Sequence, residues 1–282
     1  MSRITVHLAE EAGICFGVRR AIDLAYKEVG NARSVQTLGS LVHNQDLLNQ
    51  LQKQHITPVD LDDVNGGVVL IRAHGVTSAI KDELASHADC VVDATCTMVK
   101  AIKREIDKAV NNGALVIVYG KRVHPEAIGL RDDRDHVIVV ENPNECEQSP
   151  LNEKIVNAKH VVLLAQSTMP LEEFAALAAR LQTIRPDIDV KNTICVPTRK
   201  RQEAVGMLAK KVELMIVVGD KKSANTNHLL KLARLHTQAF RVLNADDLDH
   251  SWFDNVSDVG VTAGASTPDS AIESVLAAIR SL

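Results

Sequence analysis

Short apolar runs, each closed by a glycine or a small polar turn and followed by a helix-like stretch, recur along the chain in three sets of three. In one set the run ends in glycine, as in SVQTLGSLVHNQDLLNQL, ALVIVYGKRVHPEAIGL and ELMIVVGDKKSANTNHLLKL. Counting four residues on from Gly39, Gly120 and Gly219 gives His43, His124 and Ser223. A second set, GGVVLIRAHGVTSAIKDEL, HVVLLAQSTMPLEEFAAL and VGVTAGASTPDSAIESVL, brings His74, Ser167 and Ser266 to related positions when the helix starts are aligned. In the third set, GICFGVRRAIDLAYKEV, DATCTMVKAIKREIDKAV and NTICVPTRKRQEAVGMLAKKV, an apolar run or turn gives way to helical spacing at Cys15, Cys96 and Cys195. The pattern predicts an α/β fold: three similar domains with small, mostly parallel sheets, related by pseudo-threefold symmetry about one central site. The boundaries fall near 14–96, 97–193 and 194–282, and the leading strand within 1–13 is expected to pack on the third domain.

The bulk composition agrees with buried parallel sheets. Hydrophobic residues make up 45% of the 282, yet aromatics only 2%, so the core rests on Val, Leu, Ile and Ala. A formal net charge of −4 with no long basic run argues against nucleic acid as the main partner. No apolar stretch reaches the roughly 18 residues of a membrane span, and MSRITVHLAEEAG lacks a secretory core, so a cytoplasmic protein is expected. Five widely spaced cysteines do not read as a disulfide scaffold.

Open parallel α/β sheets bind ligands beyond the carboxyl ends of their strands. Cys15, Cys96 and Cys195 stand at such ends, and three converging thiolates are metal-site chemistry with a fourth position left to fill. Cys90, in ADCVVDA, reads instead as a buried small hydrophobe of a strand. Cys146 reads as a loop thiol or a packing residue. Pro125 with Glu126, and Pro268 with Asp269, mark helix starts. No dinucleotide fingerprint or phosphate-binding P-loop occurs, so a bound nicotinamide or ATP is not expected.

Taken together and in order, GICFGV, VHN, AHGV, DATC, HPE, QST, the Cys195 segment with RQEAV, SANTN and GVTAGASTPD resemble the 4-hydroxy-3-methylbut-2-enyl diphosphate reductases of the non-mevalonate isoprenoid pathway. The resemblance covers nearly the whole chain. It implies a trefoil of three α/β domains around a central [4Fe-4S] cluster, with Cys15, Cys96 and Cys195 as ligands to three irons and the fourth iron open to substrate. It implies that His43, His74 and His124, with Ser223, Asn225 and Ser266, surround the diphosphate, and that Thr198 supplies a further hydroxyl. Glu126 is then the proton-handling acid, with Ser167 beside it in the relay. The reaction is reductive removal of the allylic hydroxyl to give isopentenyl and dimethylallyl diphosphate, with two electrons from a ferredoxin or flavodoxin. The expected assembly is a monomer or weak homodimer.

Four positions depart from the family's pattern. Ser167 stands where threonine is common, Thr97 where proline follows the cysteine, Ala224 where a second serine precedes asparagine, and Lys200 where asparagine is common. None removes a thiol or the HPE acid. Competing readings are a non-redox hydratase that uses the open iron as a Lewis acid, an iron–sulfur regulatory protein, and a structural zinc protein.

Overall fold

The computed structural model describes residues 4–31, 34–42 and 44–282. His43 therefore lies outside the described residues. The chain divides into two compact units, one of Met1–Arg19, Ser40–Lys53 and Val196–Leu282, the other of Arg20–Gly39 and Gln54–Cys195.

The elements alternate along the chain in the order that the apolar runs predict. They are β1 (Thr5–Leu8), α1 (Phe16–Asn31), β2 (Val35–Leu38), α2 (Gln45–Lys53), β3 (Ile56–Val59), β4 (Val68–Ile71), α3 (Ser78–His87), β5 (Cys90–Asp93) and α4 (Thr97–Asn111). There follow β6 (Leu115–Tyr119), α5 (Pro125–Arg131), β7 (Val137–Val140), α6 (Leu151–Asn157), β8 (Val161–Ala165), α7 (Leu171–Ile184) and β9 (Asp189–Val190). The last elements are α8 (Val196–Ala209), β10 (Leu214–Val218), α9 (Ala224–Ala233), β11 (Gln238–Val242), β12 (Asp258–Ala263) and α10 (Asp269–Arg280).

Three four-stranded sheets result, ordered β3-β2-β4-β5, β7-β6-β8-β9 and β1-β12-β10-β11. Every pairing is parallel. Within the first two, the strand that comes first in the chain lies between the second and the third, and the fourth forms the far edge. In the third sheet that edge place is taken by β1, which pairs Thr5–Leu8 with Asp258–Val261. The three sheets thus share one plan, and the chain's first strand completes the last sheet.

Helices on both faces explain why the inner strands β4, β6, β8 and β10 are apolar throughout. Along β6, Ile117 and Tyr119 face Phe174, Leu177 and Leu181 of α7. Val116 and Val118 face Val99, Ile102 and Ile106 of α4. The buried residues of α4 recur at three- and four-residue steps, which sets one stripe of the helix against the sheet. In β10 the same alternation sends Leu214, Ile216 and Val218 toward α10, and Met215 and Val217 toward α8 and α9. Each fully buried Val, Leu or Ile contributes about 1.5–3 kcal/mol, so these strands form the stable centre of each sheet. Sheet edges differ: β1 is largely exposed, and Cys90, which opens edge strand β5, is exposed rather than buried. The apolar context of Cys90 gives the strand but not its place at the edge.

Candidate active site

Each sheet ends its strands toward a helix start, and the three cysteines occupy the same place in that plan. Cys15, Cys96 and Cys195 each immediately precede a helix: α1, α4 and α8. Their backbone N–H groups donate to Ala265, Ala73 and Ser167 at 3.0, 2.9 and 2.9 Å. Each acceptor lies two residues beyond its sheet's third strand, β12, β4 or β8. One turn of backbone thus holds every cysteine at the carboxyl end of a parallel sheet. All three are partly exposed, and none forms a disulfide. Cys146 is fully buried in a short 3₁₀ turn, where burial raises its thiol pKa to about 11.

At the second sheet the polar residues gather around the start of α5. Pro125 takes the first helical position, where its missing N–H costs nothing, and His124 is the N-cap. The Glu126 N–H donates to His124 Nδ1 at 3.2 Å. That bond requires a lone pair on Nδ1 and leaves the proton of the neutral ring on Nε2. His74, from the turn after β4, meets the His124 ring edge-on with centroids 5.1 Å apart. Glu126 is 2% exposed, and its two carboxyl oxygens accept from the Ser167 N–H at 2.6 Å and the Ser167 Oγ–H at 2.8 Å. Burial raises the Glu126 pKa to about 7, and the two Ser167 donors oppose that rise without cancelling it. Ser167 also accepts the Cys195 N–H through its carbonyl, so one residue ties the acid to a cysteine's backbone.

The third sheet carries a different polar cluster. Ser223 is the N-cap of α9, and its Oγ accepts from the Thr226 N–H at 3.3 Å. Asn225 follows in the first turn, buried, with no hydrogen-bond partner for either amide atom among the described residues. Thr226 Oγ1 is likewise buried without a partner. Gly219, at φ +148, is required here because a Cβ would stand 2.7 Å from Thr226 Oγ1. Thr198 is buried in the first turn of α8, and Ser266 is half-buried after β12.

The structure thus joins Glu126, Ser167, His124 and His74 in one unit, and places Ser223, Asn225, Thr198 and Ser266 in the other. Among the described residues, no group of three or more His, Cys, Asp or Glu side chains stands close enough to hold a single metal ion. In the first repeat Asn44 is the helix cap, its Oδ1 accepting from the Leu47 N–H at 2.9 Å, one position later than the four-residue count after Gly39 suggests. A further buried group was missed by sequence reasoning. Arg201 in RQEAV is 2% exposed, and it donates to the carbonyls of Glu11 and Gly13 at 2.6 and 2.9 Å. It therefore fixes the loop that leads into Cys15. Its charge reads on the sequence as solvated helix surface, and nothing local signals otherwise.

Comparison with known proteins supplies independent evidence. A family model described as LytB protein matches residues 6–280. The 4-hydroxy-3-methylbut-2-enyl diphosphate reductase of Thermoanaerobacter sp. (strain X514) is 35% identical over 283 residues, covering 98% of this chain and 96% of that one. The enzyme of the same description from Aquifex aeolicus (strain VF5) is 34% identical over 286 residues, covering 99% and 97%. A solved structure of (E)-4-hydroxy-3-methyl-but-2-enyl diphosphate reductase, described as the terminal enzyme of the non-mevalonate pathway, superposes with a TM-score of 0.73 at 33% identity, covering both chains completely. The E-1-hydroxy-2-methyl-but-2-enyl-4-diphosphate reductase of Plasmodium falciparum gives 0.87 at 26% identity, covering 98% and 88%. Among the described residues no helix is long and apolar enough to cross a membrane.

Proposed function

The chain belongs to the LytB protein family, and from that premise we propose that it reduces 4-hydroxy-3-methylbut-2-enyl diphosphate to isopentenyl and dimethylallyl diphosphate. It is an enzyme, an oxidoreductase of an iron–sulfur family. In balanced form, two electrons and two protons enter, the allylic C–O bond breaks, the hydroxyl leaves as water, and one carbon of the allyl unit is protonated. The electrons are assigned to a ferredoxin or flavodoxin. The three repeats are assigned to 14–96, 97–193 and 194–282, with the first strand completing the third, a division that the shared sheet plan supports.

The family implies a [4Fe-4S] cluster, and the donor set fits one. Cys15, Cys96 and Cys195 are in no disulfide, partly exposed and tethered alike. Three thiolates that each hold a different iron need not crowd as the ligands of one ion do. When bound, such a cluster would supply electrons and an iron without a protein ligand.

The chain's own residues do the rest. Glu126 carries the proposal, because a carboxyl with a pKa of about 7 is protonated in part at neutral pH and able to give its proton to a departing hydroxyl. Ser167 orients it, and the hydroxyl that donates to Glu126 keeps lone pairs free to accept from a substrate hydroxyl. His43, His74 and His124 with Ser223, Asn225, Thr198 and Ser266 are assigned to substrate, mainly its diphosphate. The amide of Asn225, without a partner among the described residues, supports that role, since a buried unmatched amide loses its water for no return until a ligand arrives.

The test is anaerobic turnover of the reconstituted protein with product analysis. Native protein should consume reductant and release both diphosphate products. Turnover that persists without reductant would favour a hydratase and defeat the reductase reading. Cys195→Ala should fail to assemble a normal cluster by electron paramagnetic resonance, and stoichiometric zinc without iron in the native protein would overturn the metal assignment.

A further inference from the structure

The turn after the third strand differs between the two sheets of the larger unit in a way that calls for a ligand. Continuing the registers Thr37↔Leu70 and Tyr119↔Ala165 sets Arg72 opposite Gly39 and Gln166 opposite Gly120. In both sheets the side chain lies across that glycine. A Cβ on Gly39 would come within 2.6 Å of Arg72 Nη1, and one on Gly120 within 3.1 Å of Gln166 Oε1.

Gln166 finishes its turn locally. Its Oε1 accepts from the Lys121 N–H at 3.0 Å, and its Nε2 faces Thr168 Oγ1 at 3.4 Å. Arg72 cannot do the same, because a guanidinium has five donors and no acceptor. It is half-buried, its Nε is buried without a hydrogen-bond partner among the described residues, and desolvation lowers its pKa with no opposing cause. A guanidinium partly withdrawn from water, with no carboxylate paired to it among the described residues, suits an anion. Its place, at the carboxyl end of a central parallel strand and two residues before His74, is where such a sheet receives ligands.

We propose that Arg72 binds a phosphate oxygen of the substrate's diphosphate, as a binding residue additional to His74 and His124 of the same unit. This rests on the reductase reading for the identity of the anion. The planar fork of donors suits a phosphate, and a charge-assisted contact of this kind changes affinity by about tenfold to a hundredfold. Where the second repeat spends this position on holding its own turn, the first spends it on the ligand.

The test compares native holoprotein with Arg72→Gln and Arg72→Lys. Glutamine stands at the matching place of the second sheet, and lysine retains the charge, so a folded variant is available by two routes. Calorimetry with inorganic pyrophosphate and steady-state kinetics with the diphosphate substrate are the readouts, beside a thermal melt. Arg72→Gln should weaken pyrophosphate binding and raise KM by about tenfold or more, with kcat changed much less, and Arg72→Lys should recover part of the loss. Unchanged pyrophosphate affinity and KM in Arg72→Gln would overturn the proposal, as would a lowered melting temperature with affinity intact, which is what a purely structural arginine gives. No pyrophosphate binding by the native protein would overturn it too. If pyrophosphate binds through Arg72 but substrate is not turned over, the reductase reading fails and the anion site stands.

Discussion

The second and third sheets use one strand plan for opposite purposes. At the second, the buried acid is closed on itself: both oxygens of Glu126 are held by Ser167, and Gln166 completes the neighbouring turn. At the third, the corresponding helix start leaves Asn225 and Thr226 buried with their side-chain polar atoms unmatched among the described residues. A matched carboxyl has a fixed position and a tuned pKa, which suits proton transfer. Unmatched donors and acceptors suit a ligand that brings its own oxygens. The same fold therefore sets a hydrogen-bonded acid on one sheet and unmatched polar groups on another by where it satisfies hydrogen bonds.

The largest break in this contrast is Glu126→Gln. The amide keeps the shape but carries no acidic proton, so kcat should fall by about a hundredfold to ten-thousandfold, while cluster absorbance and the far-ultraviolet spectrum persist. A variant with near-native kcat would remove Glu126 from the proton path. Asn225→Ala should act on the other side of the contrast. KM should rise by about tenfold with a much smaller change in kcat, and the melting temperature should hold or increase, because the substitution deletes an amide that the protein leaves unmatched. A large loss of stability without a change in KM would make Asn225 a structural residue.

Stability against pH offers a third test. The folded-state pKa of Glu126, about 7, lies above the ordinary carboxylate value of 4.5, so the folded protein binds this proton more tightly than the unfolded chain. The contribution, about 3 kcal/mol in total, is fully present below about pH 4.5 and is lost as pH rises through 7. Denaturant titrations of native protein and Glu126→Gln at pH 5 and pH 8 should show that the native loses more stability over this interval. Equal losses would place the carboxyl in a more polar setting than its burial implies.

Much of this scaffold was legible in the sequence. Apolar runs gave the inner strands, four of which are apolar throughout because both faces are covered, and helix periodicity with Pro125 located the starts of α4 and α5. The place of each cysteine before a helix was readable for the same reason. What was not readable depends on neighbours distant in the chain. Cys90 sits in an apolar strand whose edge position exposes it. Arg201 is buried by carbonyls about 190 residues away in sequence, so no local pattern marks it. The contrast between Glu126 and Asn225 was also hidden, since residue types say which groups can hydrogen-bond and only packing says which of them do.

The smallest expected effect tests how finely the closed site is tuned. Removing the hydroxyl in Ser167→Ala takes away one of two donors that favour the charged form of Glu126, and leaves the backbone N–H in place. With less support for the carboxylate, the pKa must move up from about 7, by less than about one unit for a hydrogen bond worth roughly 1 kcal/mol. The acid then stays protonated to higher pH, and the alkaline limb of the kcat profile shifts upward. The plateau falls as well, because the carboxyl loses one of the contacts that orient it. Ser167→Thr retains the hydroxyl and restricts its rotamer, so its limb should stay at the native position. If Ser167→Ala moved the limb down, or Ser167→Thr moved it as far as alanine does, the hydroxyl would not be a donor to the carboxylate, and the tuning of Glu126 would rest on burial and the backbone alone.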